Sequence, residues 1–314
     1  MLKIYKTTSV EKKIKKAKRA TVDSWIDMVS PTREEIDKVI KITGIEEDLI
    51  LKMLDDEERP RIEEEDNGTL IVIDTPCLEI GTDHFSYNTR PLGIIVTKNN
   101  FVITVAPKPV KVLTQFKKNK VKSFRTAKKT RFVIQILLKT SNEYLNALKV
   151  VNEKIEEKEK DITNSTSNKD LINMLDLEKT LVYFITSLKA NDLVLHRLAK
   201  GVILPLYEGD DDLLEDAMIE NRQAIELSGI YRDILSSITD TYATVVSNNL
   251  NQVMKFLAAA TIVLSFPTMI YSFLGMNVDL GSLGQMPLAW LIILVGSLLI
   301  SILIIIILYK KDMF

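Results

Sequence analysis

The sequence predicts a membrane protein of α+β class: a cytosolic domain of strands and helices, a long stalk helix, and two transmembrane helices. Three observations predict it. Residues 256–273 and 288–309 are apolar runs without one charged side chain, and each is long enough as a helix to cross a hydrocarbon core of about 30 Å. No proline interrupts the chain between Pro205 and Pro267, so one helix can rise from soluble protein into the first run. Before that, β-branched runs punctuated by Asn, Gly and Pro give way to apolar residues at 3–4 spacing, the periods of strand and helix.

Residues 1–125 read as an α/β domain. "TLIVIDTP", "PLGIIVTKNN" and "FVITVAP" are expected strands, with Asn99–Asn100 as a hairpin turn. "PTREEIDKVIKITG" has Pro and acids at its start and Gly at its end, the marks of a capped helix. The N-terminal stretch "MLKIYKTTSVEKKIKKAKRA" is basic but holds no apolar core, so it is not a signal peptide. Residues 126–207 read as two long amphipathic helices, antiparallel across the polar link "TNSTSNKD". Residues 208–255 form the stalk helix and 256–274 the first span, with the single helix expected from Asp212 to Phe273 at a length on the order of 90 Å. An external loop, 275–287, leads to the second span, 288–309, and a short tail, 310–314. The second span is apolar on every face and has nowhere to hide in a soluble domain. Lys255, Lys310 and Lys311 flank the spans while residues 274–287 contain no Lys or Arg. The positive-inside rule then makes this a multi-pass plasma-membrane protein with both termini cytosolic.

Net charge is −1 with 26% charged residues, which gives no global attraction to nucleic acid. Cys77 is the only cysteine, so no intrachain disulfide framework exists. Phosphate-cradling Gly loops, zinc-ligand spacings and nucleophile elbows do not occur, which argues against an enzyme. His84 and His196 have no metal-ligand partner nearby in sequence. The run "EGDDDLLED" (residues 208–216) reads either as a divalent-cation site or as a solvated, negatively charged helix start.

The first span carries hydroxyls at Thr261, Ser265, Thr268 and Ser272, spaced 4, 3 and 4. Continued backward at alternating 3 and 4, the same face carries Ala258, Met254, Asn251, Ser247, Thr244, Asp240, Ser237 and Asp233. A 3.5-residue period keeps this line turned toward a common axis among supercoiled neighbours. Small-residue helix packing is one reading of it. The other is a water-lined pore made by several copies, since one polar-faced helix encloses nothing. No acid or base lies within residues 256–273. Neutral oxygens suit Mg²⁺, which gives up its waters reluctantly.

Gly275-Met276-Asn277 closes the first span ahead of a short loop, and here the sequence resembles the CorA magnesium transporters. "YATVVSNNLNQVMKFL" resembles that family's end-of-stalk sequence, "TKNNFVITV" and "WIDMVSPTREE" its cytosolic domain, and "LEKTLVYFITSLKANDLVLHRL" its antiparallel helix pair. The likeness covers nearly the whole chain and is strongest over residues 230–277. It implies a homopentameric channel with an α/β/α cytosolic funnel, a pore-lining stalk helix and an outer second span. Gly275, Met276 and Asn277 would form the selectivity filter, with Asn277 at the outer mouth contacting the hydrated ion and Gly275 letting the helix end in tight quarters. Thr268 matches a threonine ring, Met254 and Leu257 an apolar constriction, and Asn251 and Asp240 inner polar positions. Strict 3–4 spacing selects Ala258 where the family favours Leu257.

A regulatory Mg²⁺ would sit at Asp216 against a neighbouring copy, with Asp74, Glu79 or Asp83 as its partner carboxylate. The family's aromatic before Gly-Met-Asn is Leu274 here. Its loop glutamate is missing after Met286-Pro287, which leaves Asp279 as the loop's only acid. The function implied is a channel-like Mg²⁺ importer driven by membrane potential, also passing Co²⁺ and Ni²⁺, and closed by intracellular Mg²⁺. Its partners are copies of itself, divalent ions and the bilayer. The alternatives are a zinc transporter of the same superfamily, against which Met276 argues, and a membrane-tethered scaffold, against which the continuous polar line argues.

Overall fold

A computed structural model describes residues 1–7, 13–80, 85–161, 168–276 and 287–311. The chain divides into two compact units, Met1–Thr239 and Asp240–Phe314. The first unit is built on one seven-stranded sheet: β1 (Leu2–Thr7), β2 (Ile14–Ala17), β3 (Trp25–Val29), β4 (Arg61–Glu65), β5 (Gly68–Ile80), β6 (Phe85–Thr97) and β7 (Val102–Ala106), in the order β2-β1-β3-β7-β6-β5-β4. Only the β3–β7 pair is parallel among these.

Alternation along the strands builds a core on each face. Ile26, Met28, Leu70, Val72, Ile103 and Val105 pack against α1 (Arg33–Thr43), α2 (Asp48–Leu51) and the 3₁₀ turn Lys52–Leu54. Trp25, Ile71, Ile73, Leu92, Ile94 and Val102 face the other way, toward α3 (Lys111–Lys117), α4 (Lys129–Asp161), α5 (Asn168–Leu198) and the start of α6 (Asp210–Leu274). The sheet is thus the middle of three layers. Trp25, fully buried, meets Phe132 edge-on at 5.2 Å between centroids, and its Nε1–H donates to Thr104 Oγ1 at 2.9 Å. Thr104 donates in turn to Asp27 at 3.1 Å, and Asp27 pairs with Lys117 at 2.6 Å. A carboxylate can be buried here because both oxygens are occupied.

Helix α1 has the expected caps. Thr32 and Glu35 form a reciprocal capping box, and Gly44 stops the helix at φ 71° with its N–H on Ile40 O at 2.8 Å. Asn100 takes φ 64° in the β6–β7 turn, where an asparagine tolerates the left-handed region. Helices α4 and α5 are antiparallel: Lys158 pairs with Asp170 at 2.7 Å, and Tyr144 meets Phe184 at 5.1 Å, so contacts run down one helix as they run up the other. Residues 162–167 of the polar link lie outside the described set. Helix α6 starts two residues before the expected Asp212 and ends one after Phe273.

Three strands arise where no strand was expected. β1 and β2 come from the basic N-terminal stretch, and β4 is the charged sequence RIEEE, in which only Ile62 is buried. Pairing with β5 from Arg61↔Val72 to Glu65↔Gly68 holds β4 in place. Tertiary pairing overrides weak strand propensity there.

Candidate ion-conduction path

Within the second unit, two helices face each other: residues 240–274 of α6, and α7 (Ala289–Lys310). Over residues 251–274 of α6 the least exposed positions are Ala259, Ala260, Val263, Pro267, Ile270 and Leu274; on α7 they include Ile293, Gly296, Ser297, Ser301, Ile304 and Leu308. Each set follows 3–4 spacing and so forms one face. Tyr271 Oη and Ser297 Oγ join the helices at 2.6 Å, with Ser297 donating to Leu294 O at 2.9 Å. Small residues that admit close approach are thus used on this seam. Ala259-Ala260 and Gly296-Ser297 are the small residues of this contact, and small residues at helical spacing are the signal for it in the sequence.

The hydroxyl line lies elsewhere on α6. Asp240, Thr244, Ser247, Asn251, Met254, Leu257, Ala258, Thr261, Ser265, Thr268 and Ser272 are all exposed in the single chain, so small-residue packing against α7 does not account for them. Their hydrogen bonds are specific. Thr261 donates to Leu257 O at 2.7 Å, Ser265 to Thr261 O at 2.7 Å, Thr268 to Leu264 O at 2.8 Å and Thr244 to Asp240 O at 3.0 Å. A hydroxyl whose one proton is turned back into its helix offers only lone pairs outward. The line is therefore a row of acceptors, as the water shell of a cation requires. Met254 and Leu257 break it with apolar side chains 59% and 53% exposed. Pro267, on the seam side, removes the N–H that would have bonded Val263 O.

The structure describes Gly275 and Met276; Asn277, Asp279 and Met286 lie outside the described residues. Gly275 N–H still bonds Tyr271 O at 2.9 Å, and Met276 N–H closes on Phe273 O at 3.3 Å. Gly275 is not among the positive-φ glycines. Its use is close approach: an added Cβ would stand 3.2 Å from Tyr271 O.

In the first unit the acidic run is divided. Asp210 is buried, pairs with Arg131 at 3.1 Å and accepts from Tyr207 N–H at 3.2 Å; Asp211, Asp212, Glu215 and Asp216 are exposed. No group of three or more metal-ligating side chains occurs among the described residues. Of the candidate partners, Glu79 pairs with Arg90 at 3.3 Å, Asp83 lies outside the described residues, and Asp74 is engaged between β5 and α5.

Ser187 Oγ donates to Asp74 Oδ2 at 2.6 Å, and Asn191 bonds the Asp74 backbone N–H at 2.9 Å and carbonyl at 2.8 Å. Burial pushes the Asp74 carboxyl up to about 6 against the pull of Ser187. A raised carboxyl binds more protons folded than unfolded, so its contribution is full below the ordinary value of 3.8 and is lost as pH rises through about 6. Asp74→Asn, which cannot ionise, should gain on wild type by on the order of 2 kcal/mol between pH 4 and pH 8. Melting of both proteins across that range checks it, and a constant difference would contradict it.

Residues 23–311 match the family described as CorA-like Mg²⁺ transporter protein. The chain belongs to this family. It is a membrane transporter of divalent cations and not an enzyme. The cobalt/magnesium transport protein CorA of Methanocaldococcus jannaschii is 30% identical over 288 residues, covering 88% of this chain and 87% of that protein. The complete structure of a CorA magnesium transporter from the same organism superposes with a TM-score of 0.83 at 25% identity, covering 100% of this chain and 99% of that one. The cytoplasmic domain of ZntB from Vibrio parahaemolyticus reaches a TM-score of 0.60 at 10% identity, over 78% of this chain and 98% of its own, a likeness of fold alone. The CorA match covers the α/β domain, the long helix and the apolar C-terminal helix together.

Proposed function

We propose that the chain is a channel-like importer of Mg²⁺, also passing Co²⁺ and Ni²⁺, that works as a homopentamer. The observation that carries this reading is the open line of inward-bonded hydroxyls on α6, on a face its own α7 leaves free. Copies around an axis turn that line into a wall of neutral acceptors. The wall begins at Asp240, narrows at Met254 and Leu257, and ends at a filter of Gly275, Met276 and Asn277. A divalent ion moving down about 100 mV releases roughly 4.6 kcal/mol, so no nucleotide is required. Expression in a bacterial strain stripped of its own Mg²⁺ uptake should restore growth on low Mg²⁺; chain present in the membrane without rescue would overturn the proposal.

Both termini are placed in the cytosol, because the lysines flank the spans and residues 274–287 have none. A cysteine at Ser282, outside the described residues, should react with an impermeant thiol reagent on intact cells while Cys77 stays unlabelled. The reverse pattern would invert the topology.

Intracellular Mg²⁺ closes the pore through Asp216. Among the described residues the exposed carboxylates here have no complete ligand set; on this reading a neighbouring copy supplies the rest, and bound ion favours the tightly packed state over the loose one. Asp216→Ala should shift protease protection to several-fold higher Mg²⁺ and weaken shut-off. Superimposable protection curves would make the acidic run a solvated helix start.

A further inference from the structure

Much of the seam between α6 and α7 has no direction. Ala259, Val263, Pro267 and Ile270 on α6, and Ile293 and Ile304 on α7, bring no hydrogen-bonding side chain to it. In lipid no hydrophobic force separates such groups from the tails, so apolar contact alone fixes the register of two helices weakly. Tyr271 is different. Its Oη lies 2.6 Å from Ser297 Oγ. Ser297, only 3% exposed, gives its one proton to Leu294 O at 2.9 Å, so the proton between the helices is the phenol's. The bond runs from phenol to serine, and its short reach fixes the height and the rotation of α6 against α7.

Where the bond sits gives it a use. Tyr271 O accepts the Gly275 N–H at 2.9 Å and would stand 3.2 Å from a Cβ at that position. Tyr271 therefore grips the end of α6 with its carbonyl and α7 with its hydroxyl. The segment it belongs to is weakly tied to the helix before it. Pro267, four residues earlier, gives no N–H to Val263 O, and a missing rung of this kind is where helices bend. Thr268 and Ser272 ride on the same segment, as does Gly275. An anchor to α7 beyond the proline holds all three against a pivot at Pro267.

We infer that Tyr271 is a positioning residue of the conduction path, whose hydrogen bond to Ser297 lets α7 hold the Gly275-Met276-Asn277 end of α6 in the geometry that captures the ion's water shell. This deepens the filter reading proposed above and rests on it. Tyr271 acts through Gly275 and does not itself meet the ion.

The test is the initial rate of Mg²⁺ uptake into liposomes by purified full-length protein, with native mass read on every sample. Loss of the anchor weakens capture at the filter and leaves the acceptor line of α6 in place, so KM should move while the maximal rate stays. Tyr271→Phe and Ser297→Ala should each raise KM for Mg²⁺ about threefold, the scale of one hydrogen bond between membrane helices. The double variant should be no worse than either single one, because both remove the same bond. Wild-type KM in the two single variants, effects that multiply in the double variant, or loss of the assembly in both would make the bond ordinary helix packing and overturn the inference. Asn277→Ala is measured alongside. If it abolishes uptake while the Tyr271 and Ser297 variants match wild type, the filter stands and the anchor falls; if it transports at the wild-type rate, both fall.

Discussion

Asn277→Ala should reduce Mg²⁺ uptake to background while the native mass of the assembly stays unchanged. The argument is chemical. A filter for an ion that keeps its waters must offer oxygens that accept from those waters without a permanent charge that would trap the ion. Asn277 supplies an amide directly after Gly275-Met276, where α6 has ended at Leu274. A methyl group cannot replace it. Asn277→Gln, which keeps the amide on a longer arm, should retain measurable transport with altered ion ranking. Wild-type rates in the alanine variant would remove the filter assignment, and with it the reason for the Gly-Met-Asn sequence.

Met254→Ser should make the pore leak when internal Mg²⁺ is high. Met254 and Leu257 are large apolar side chains left open on a face that otherwise carries Asn251, Thr261 and Ser265. Copies of them around an axis make a short stretch that water leaves readily, and an ion with its shell cannot cross a dewetted constriction. A hydroxyl at 254 keeps that stretch wet. Closed-state flux should rise several-fold, with little change in the open-state rate. Unchanged leak would place the barrier elsewhere along α6.

Parts of this molecule are written locally and parts are not. The cap residues Thr32, Glu35 and Gly44 announce α1 because each acts on backbone groups within a turn or so of itself. Most of the long α6 is legible from the absence of proline between Pro205 and Pro267, and the hydroxyl line from spacing alone, since both are properties of one helix. β4 is not legible: RIEEE has neither alternation nor β-branching to spare, and only its register with β5 makes it a strand. β2 is similar, with Ile14 its sole buried residue. The α6–α7 seam escaped because two readings competed for small residues. The sequence could not say which face α7 would cover, and the Tyr271–Ser297 bond at 2.6 Å depends on both helices at once. At Gly275 the crowding is with the turn before it, where an added Cβ would stand 3.2 Å from Tyr271 O, a distance that no residue spacing announces.

The central claim is that a neutral acceptor line on α6 conducts Mg²⁺ down the membrane potential. Flux into liposomes holding only the purified full-length protein tests it most directly, with Mg²⁺, Co²⁺, Ni²⁺ and Zn²⁺ supplied separately and a proton gradient imposed or absent. The account predicts Mg²⁺ entry that rises with inside-negative potential, is indifferent to the proton gradient, and falls as Mg²⁺ accumulates inside. Entry of Zn²⁺ alone, or transport that requires the proton gradient, would contradict it.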